Sequence, residues 1–158
     1  MPSTERGIKA PRTHTGVVLS RYVPGIAVAW DDIAPDRQWH EVDGTLCFVD
    51  ISGFTSLSER LARKGRIGAE ELTEILNRVF SAMLGTAYDY GGSLIKFGGD
   101  ALLLLFQGED HALRAASAVT AMQRTLRAAT SEPTSAGKIR LRMSVGVHSG
   151  TIQLFCVG

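Results

Sequence analysis

Only two cysteines, Cys47 and Cys156, occur in 158 residues, and they form no Cys-x-x-Cys pair. A disulfide scaffold is thereby excluded, and two reduced thiols in a cytoplasmic chain are expected. No apolar run approaches the roughly 20 residues of a membrane helix. The longest clear one, residues 101–106, is a six-residue stretch, so no membrane span is expected. Arg6, Lys9 and Arg12 precede Val17, Val18 and Leu19 in the manner of a signal peptide, but Arg21 and Pro24 interrupt the apolar stretch too soon. Neither charge dominates either. Seventeen Lys and Arg against sixteen Asp and Glu leave a net +1, which provides no field for a nucleic acid partner. Repeats and low-complexity tracts are absent too. What remains, 44% hydrophobic and 21% charged residues, is the composition of a globular chain of about one domain with a short appendage.

The chain divides at about residue 43. Residues 1–43 read as a leader and linker, partly helical, and residues 44–158 as the principal domain. The leader holds Val17, Tyr22, Val23, Ile26 and Val28 around a helix-breaking Pro24. It also holds both tryptophans, Trp30 and Trp39, which suggests that it docks on a surface. Residues 31–43 read as linker. Thr45 to Val49 form a nearly unbroken apolar run, the pattern of a central strand buried on both faces. Phe54, Leu57 and Leu61 then recur at helical spacing. A second helix from about Ala69 carries the stripe Leu72, Leu76, Val79, Met83 and Ala87, and Gly91-Gly92 stops it.

Residues 93–97 and 101–106 are strand-like and joined by a turn at Gly98-Gly99. Glu109-Asp110 open a third helix with the stripe Ala115, Val119, Met122 and Leu126. From Lys138 to Val145, polar and apolar residues alternate, which predicts a strand with one wet face. His148-Ser149-Gly150 predicts a turn into a last strand. The order β-α-α-β-β-α-β, with the two early helices as one layer, is an α+β chain on the ferredoxin-like βαββαβ plan. That plan is expected to centre the strand before the first helix and the strand after the second.

Two residues are out of place for a core. Asp50 ends an apolar strand, where a carboxylate is costly without a cation or donors. Its bland role would be a helix N-cap, but Ser52 already offers one. Asp100 follows Gly98-Gly99 between two apolar strands, a composition common in hairpins. The plan sets this hairpin beside the end of the first strand, so Asp50 and Asp100 converge as two hard oxygen ligands suited to Mg²⁺ or Mn²⁺. Residues 51–55 offer free backbone N–H groups at a helix start, which suits a polyphosphate. His148 reads as a structural turn histidine, and His14, His40 and His111 show no pairing.

Phe48-Val49-Asp50-Ile51-Ser52-Gly53-Phe54-Thr55, with Ile95-Lys96-Phe97-Gly98-Gly99-Asp100, resembles the class III nucleotidyl cyclase catalytic domain, nearest the bacterial soluble, bicarbonate-type adenylyl cyclase branch. Gly146-Val147-His148-Ser149-Gly150 resembles the family's Gly-x-His-x-Gly strand end. The resemblance runs from about Gly44 to Gly150. It implies that Asp50 and Asp100 bind two divalent metals, Mg²⁺ or Mn²⁺, with help from the Ile51 carbonyl. Gly53, Phe54, Thr55 and Gly99 match substrate-binding positions, and Lys96 matches the purine-reading lysine. An ammonium only donates and adenine N1 only accepts, so Lys96 argues for ATP over GTP.

The implied reaction converts ATP to 3′,5′-cyclic AMP and pyrophosphate at a site shared with a second copy or a second cyclase domain. The family's later segment, with its Asn and Arg, has no counterpart after Gly150. The expectation is therefore a cyclase domain whose C-terminal part is missing and which alone turns over near background. The competing reading is a non-catalytic half that binds nucleotide or dimerises to regulate a partner. A diguanylate cyclase, which shares a Gly-Gly-Asp hairpin, is disfavoured: Ala101-Leu102 stands where Glu-Phe would follow.

Overall fold

The computed structural model describes residues 25–28 and 30–156. Two single-turn helices, α1 (Gly25–Val28) and α2 (Trp30–Ile33), precede strand β1 (Trp39–Ser52). Helices α3 (Phe54–Ala62) and α4 (Arg66–Asp89) follow, then the hairpin of β2 (Gly92–Gly98) and β3 (Ala101–Gln107). Helix α5 (His111–Ala129) leads to the long strand β4 (Arg142–Phe155). The four strands form one antiparallel sheet in the order β2-β3-β1-β4. This is the expected α+β, ferredoxin-like arrangement.

Sequence periodicity accounts for how the helices attach. Phe54, Leu57 and Leu61 are all buried on α3. On α4 the buried face is Ile75, Val79, Met83, Leu84 and Ala87, with Leu72 and Leu76 packed at its margin. On α5 it is Ala115, Ala118, Met122 and Leu126, with Val119 beside them. These stripes meet Cys47, Val49 and Ile51 of β1 and Leu102, Leu104 and Phe106 of β3. Each fully buried large side chain contributes about 1.5–3 kcal/mol, so this single interface dominates the stability of the domain. Burial pushes the Cys47 thiol up to about 11, making it a core residue without thiolate chemistry.

Several expectations are corrected. β1 is not buried on both faces throughout: Phe48 is 52% exposed, because α3, α4 and α5 all pack against the opposite face. The second face carries a small cluster of Val42, Leu105 and Ile152, against which Ile26 of α1 packs. The central strands are β1 and β3, whereas β4, the strand after α5, lies at the edge. Residues 31–43 are more than a linker. They include the end of α2 and the start of β1, whose residues 39–43 pair with β4 alone and so tolerate polar side chains.

His148-Ser149-Gly150 does not turn. It continues β4 opposite Leu46, Thr45 and Gly44, where two facing glycines let the strands run on. Trp30 is buried and donates its Nε1–H to the Arg37 carbonyl at 2.8 Å, while Trp39 is exposed. The leader residues Val17, Val18, Leu19, Tyr22, Val23 and Pro24 lie outside the described residues. Among the described residues no helix is long and apolar enough to cross a membrane.

Candidate functional site

Cross-strand partners share a face of a sheet, and the register therefore assigns the candidate residues. Lys96, Leu103, Phe48 and Gly146 form one row across β2, β3, β1 and β4. Gly98, Ala101, Asp50 and Ser144 form the next polar-ward row. Asp50 alternates with the buried Val49 and Ile51, so it lies with Phe48 on the face away from α3, α4 and α5 and is half-buried. Lys96 belongs to the same face and is exposed. A β-bulge at Ile95 places it there, since the pairing shifts between Leu94 and Lys96.

The hairpin turn brings Asp100 to the end of β1. The Ile51 N–H donates to the Asp100 carbonyl at 3.3 Å, tying the two segments together beyond the regular ladder. Gly99 makes this turn with φ 72, a left-handed conformation that costs most residues about 1–2 kcal/mol. Asp50 is half-buried and Asp100 exposed, and among the described residues neither joins an ion pair.

Directly after β1 the chain swings into α3. Gly53 sits at the N-cap with φ 107 and ψ −7, and no side chain caps the helix. Ser52 is exposed and does not serve as the cap, contrary to expectation. A Cβ at Gly53 would stand 2.5 Å from the Arg140 carbonyl oxygen, so only glycine fits between β1 and the segment entering β4. The first-turn amides of α3 are consequently without a side-chain acceptor, at the positive end of the helix. Phe54 is committed to the core, stacked on Phe80 at 5.8 Å, so only its backbone is available to a ligand. Thr55 is exposed.

The donor set suits a hard divalent cation. Two carboxylates from adjacent strand ends, with no competing cation in an ion pair, supply oxygen ligands but too few for a complete shell. No cluster of three His, Cys, Asp or Glu side chains forms among the described residues, so the remaining ligands would come from water and a bound phosphate. Arg142, opposite Ser52 and exposed, adds a cation to the same end and face.

Two features escaped the sequence. His148 is exposed on the face away from α3, α4 and α5, where it lines a shallow apolar depression of about 300 Å³ with Leu46, Phe48, Leu103, Gly146 and Val147. His111 is partnered after all. Its Nδ1 lies 2.7 Å from Thr45 Oγ1, which also bonds Ser149 Oγ at 2.7 Å, and its Nε2 lies 3.7 Å from the Asp43 carboxylate. Thr45 is fully buried, so these bonds satisfy the one buried polar side chain of the described core. Partners 66 and 104 residues away left no local signal.

Comparison with known proteins identifies the family. Residues 38–158 match the family model "Adenylate and Guanylate cyclase catalytic domain". Adenylate cyclase type 10 of Oryctolagus cuniculus is 32% identical over 146 residues, covering 90% of this chain and 9% of that protein. The Rattus norvegicus protein of the same name is 40% identical over 101 residues, covering 62% of this chain and 6% of that protein. The chain thus spans less than a tenth of these two relatives. Among solved structures, the guanylyl cyclase Cya2 superposes with a TM-score of 0.64 at 31% identity, covering 77% of this chain and 61% of that chain. The adenylyl cyclase CyaB from P. aeruginosa gives 0.59 at 27%, covering 74% and 60%. With residues 38–158 matched by the family model and its fold shared with solved cyclase domains, the chain belongs to the adenylate and guanylate cyclase catalytic domain family.

Proposed function

We propose that this domain is an adenylate cyclase catalytic unit that converts ATP to 3′,5′-cyclic AMP and pyrophosphate. The observation that carries the reading is the meeting of Asp50, Asp100 and the uncapped start of α3 at one end of the sheet. Asp50 and Asp100, with the Ile51 carbonyl, would hold two divalent ions, Mg²⁺ or Mn²⁺. Bound there, such ions supply positive charge against the triphosphate and against the attacking ribose oxygen. The amides of Gly53, Phe54 and Thr55 donate to the phosphate chain, and Gly99 keeps the hairpin tight enough for Asp100 to reach the site. The ribose 3′-oxygen bonds to the α-phosphorus, the bond to the β-phosphate oxygen breaks, and pyrophosphate leaves with the 3′-hydroxyl proton lost to solvent.

Lys96 donates to adenine N1, which accepts, whereas guanine N1 carries a hydrogen and would be repelled. The face away from α3, α4 and α5 supports a second copy as partner, because Phe48 stands 52% exposed there beside the apolar depression. In such a pair, each base-reading Lys96 serves the nucleotide held by the other copy's aspartates. Cytoplasmic signalling by the cyclic product is the corresponding cellular role. Cyclic-nucleotide production from Mn²⁺-ATP and Mn²⁺-GTP, by the chain and by a longer chain containing it, tests the proposal. Production of cyclic AMP that disappears in Asp50→Asn supports it; cyclic GMP alone from both chains overturns the substrate assignment.

A further inference from the structure

A second concave site lies at the other end of α3, away from the aspartates. Arg60, Arg63 and Lys64, from the last turn of α3 and the residues after it, line a cavity of about 420 Å³ with Ser135 and Ala136. Its far wall is held in place. Ser135 donates its N–H to Glu71 Oε1 at 2.9 Å and its hydroxyl to Oε2 at 2.5 Å. Thr134 and Gly137 pair through both backbone bonds, and Thr134 Oγ1 donates to the Gly137 carbonyl. Arg60 Nη2 donates to the Lys138 carbonyl at 3.0 Å.

The charge in this cavity is unbalanced. Among the described residues the ion pairs are Arg66 with Glu70, Arg78 with Glu132 and His111 with Asp43, so Arg60, Arg63 and Lys64 have no carboxylate partner. Glu71, the acid that reaches the wall, has both oxygens committed to Ser135. Arg60 Nε is also shielded from solvent without any acceptor, an arrangement that costs free energy until an acceptor arrives.

We propose that this cavity binds the phosphate group of a small ligand. Three cations converge where one carboxylate would neutralise only one of them, and guanidinium groups match a tetrahedral oxyanion by paired N–H donors. The site is separate from the phosphate cradle at Gly53 but mechanically joined to it. Arg60 holds the carbonyl of Lys138, and two residues on, the Arg140 carbonyl closes against Gly53. An anion on Arg60 and Arg63 therefore fixes the strip of chain on which the cradle rests.

Titration of the ¹⁵N-labelled chain with inorganic phosphate, against chloride at matched ionic strength, tests this. The expected result is saturable shifts of the Ser135, Ala136 and Lys138 amides, with affinity at least tenfold weaker in the double variant Arg63→Ser, Lys64→Ser. Both replaced side chains are exposed and make no hydrogen bond among those described, so the variant keeps its fold. Shifts confined to residues 53–55 would place phosphate in the cradle only and overturn the proposal. Non-saturating shifts, or shifts equal in the variant or in chloride, would overturn it as well.

Discussion

The amide of Ile51 donates to the carbonyl of Asp100 at 3.3 Å, so the residue after one aspartate is bonded to the other aspartate itself. The two carboxylate-bearing residues are thereby fixed relative to each other by backbone, before any ligand arrives. Replacing both side chains by amides should leave that bond and the fold intact while removing two negative charges. Asp50→Asn with Asp100→Asn is expected to unfold no earlier than the parent chain, since mutual repulsion is relieved. Its affinity for Mn²⁺-nucleotide is expected to fall at least tenfold, about 1.4 kcal/mol. Calorimetric titration showing unchanged affinity would remove these residues from the metal site.

Gly53 offers a sharper test of the geometry. Its φ of 107 is unfavourable for any residue with a Cβ, and that Cβ would meet the Arg140 carbonyl oxygen at 2.5 Å. Gly53→Ala is expected to destabilise the domain by about 1–3 kcal/mol through backbone strain. Thermal unfolding measures this, and a midpoint unchanged within error would mean that the β1–α3 junction is looser than it stands. Nucleotide binding should weaken as well, because the cradle amides belong to the same turn.

Lys96 decides the purine if the proposed function holds. It lies beyond a bulge on the face away from α3, α4 and α5, exposed. Lys96→Glu replaces a pure donor by a pure acceptor, which suits guanine N1–H instead of adenine N1. The ratio of kcat/KM for ATP over GTP should fall by about 1–3 kcal/mol, the scale of one desolvated polar contact. A ratio that does not move would make Lys96 a surface residue.

The helices were legible because each has to bury a stripe. Phe54, Leu57 and Leu61, or Val79, Met83 and Ala87, announce both the element and its inward face. Asp50 and Asp100 stand out for the opposite reason, as charged residues beside apolar strands, and the structure joins their two segments through the Ile51–Asp100 backbone bond. What the sequence hides is pairing. Trp39 to Asp43 read as linker because their polar residues sit where β1 has β4 as its sole neighbour. His148-Ser149-Gly150 has turn composition, yet pairing with Leu46, Thr45 and Gly44 holds it extended. The His111–Thr45 bond joins residues far apart in the chain through tertiary structure alone. Polar composition says where a chain can turn; the neighbouring strand decides whether it does.

Arg114 is a structural pin with a measurable worth. Its guanidinium donates to the carbonyls of Glu109, Tyr90, Gly91 and Gln107, joining the end of α4, the end of β3 and the start of α5. Methionine keeps the stem but supplies no donor. Arg114→Met is expected to cost about 1–3 kcal/mol, because several carbonyls lose a charged donor and only some regain water. Denaturant unfolding should show a lower midpoint with an unchanged slope. A loss under 0.5 kcal/mol would mean that water replaces the guanidinium at every carbonyl, leaving the junction held by α4 and α5 packing.

The Glu71 clamp on Ser135 makes one wall of the cationic cavity sensitive to acid. Bonds from the Ser135 hydroxyl and then from its N–H hold the Glu71 carboxyl below the ordinary glutamate value of 4.5. A depressed carboxyl stabilises the folded clamp fully above the unfolded value, and that contribution is lost as pH falls through the folded value. Protonation removes acceptor capacity from the oxygen facing the Ser135 hydroxyl, so residues 134–137 should loosen before the helical core does. Amide exchange at Ser135, followed from pH 6 downward and corrected for intrinsic rates, should therefore accelerate below about pH 4.5. Leu104, in the core, should hold its protection over the same range. Glu71→Gln should show the accelerated exchange of Ser135 already at pH 6 and little further change on acidification. If Ser135 in the parent chain keeps the same protection factor down to the pH at which Leu104 loses its own, the clamp does not depend on the carboxylate. Residues 134–137 would then be held by the pairing of Thr134 with Gly137 alone.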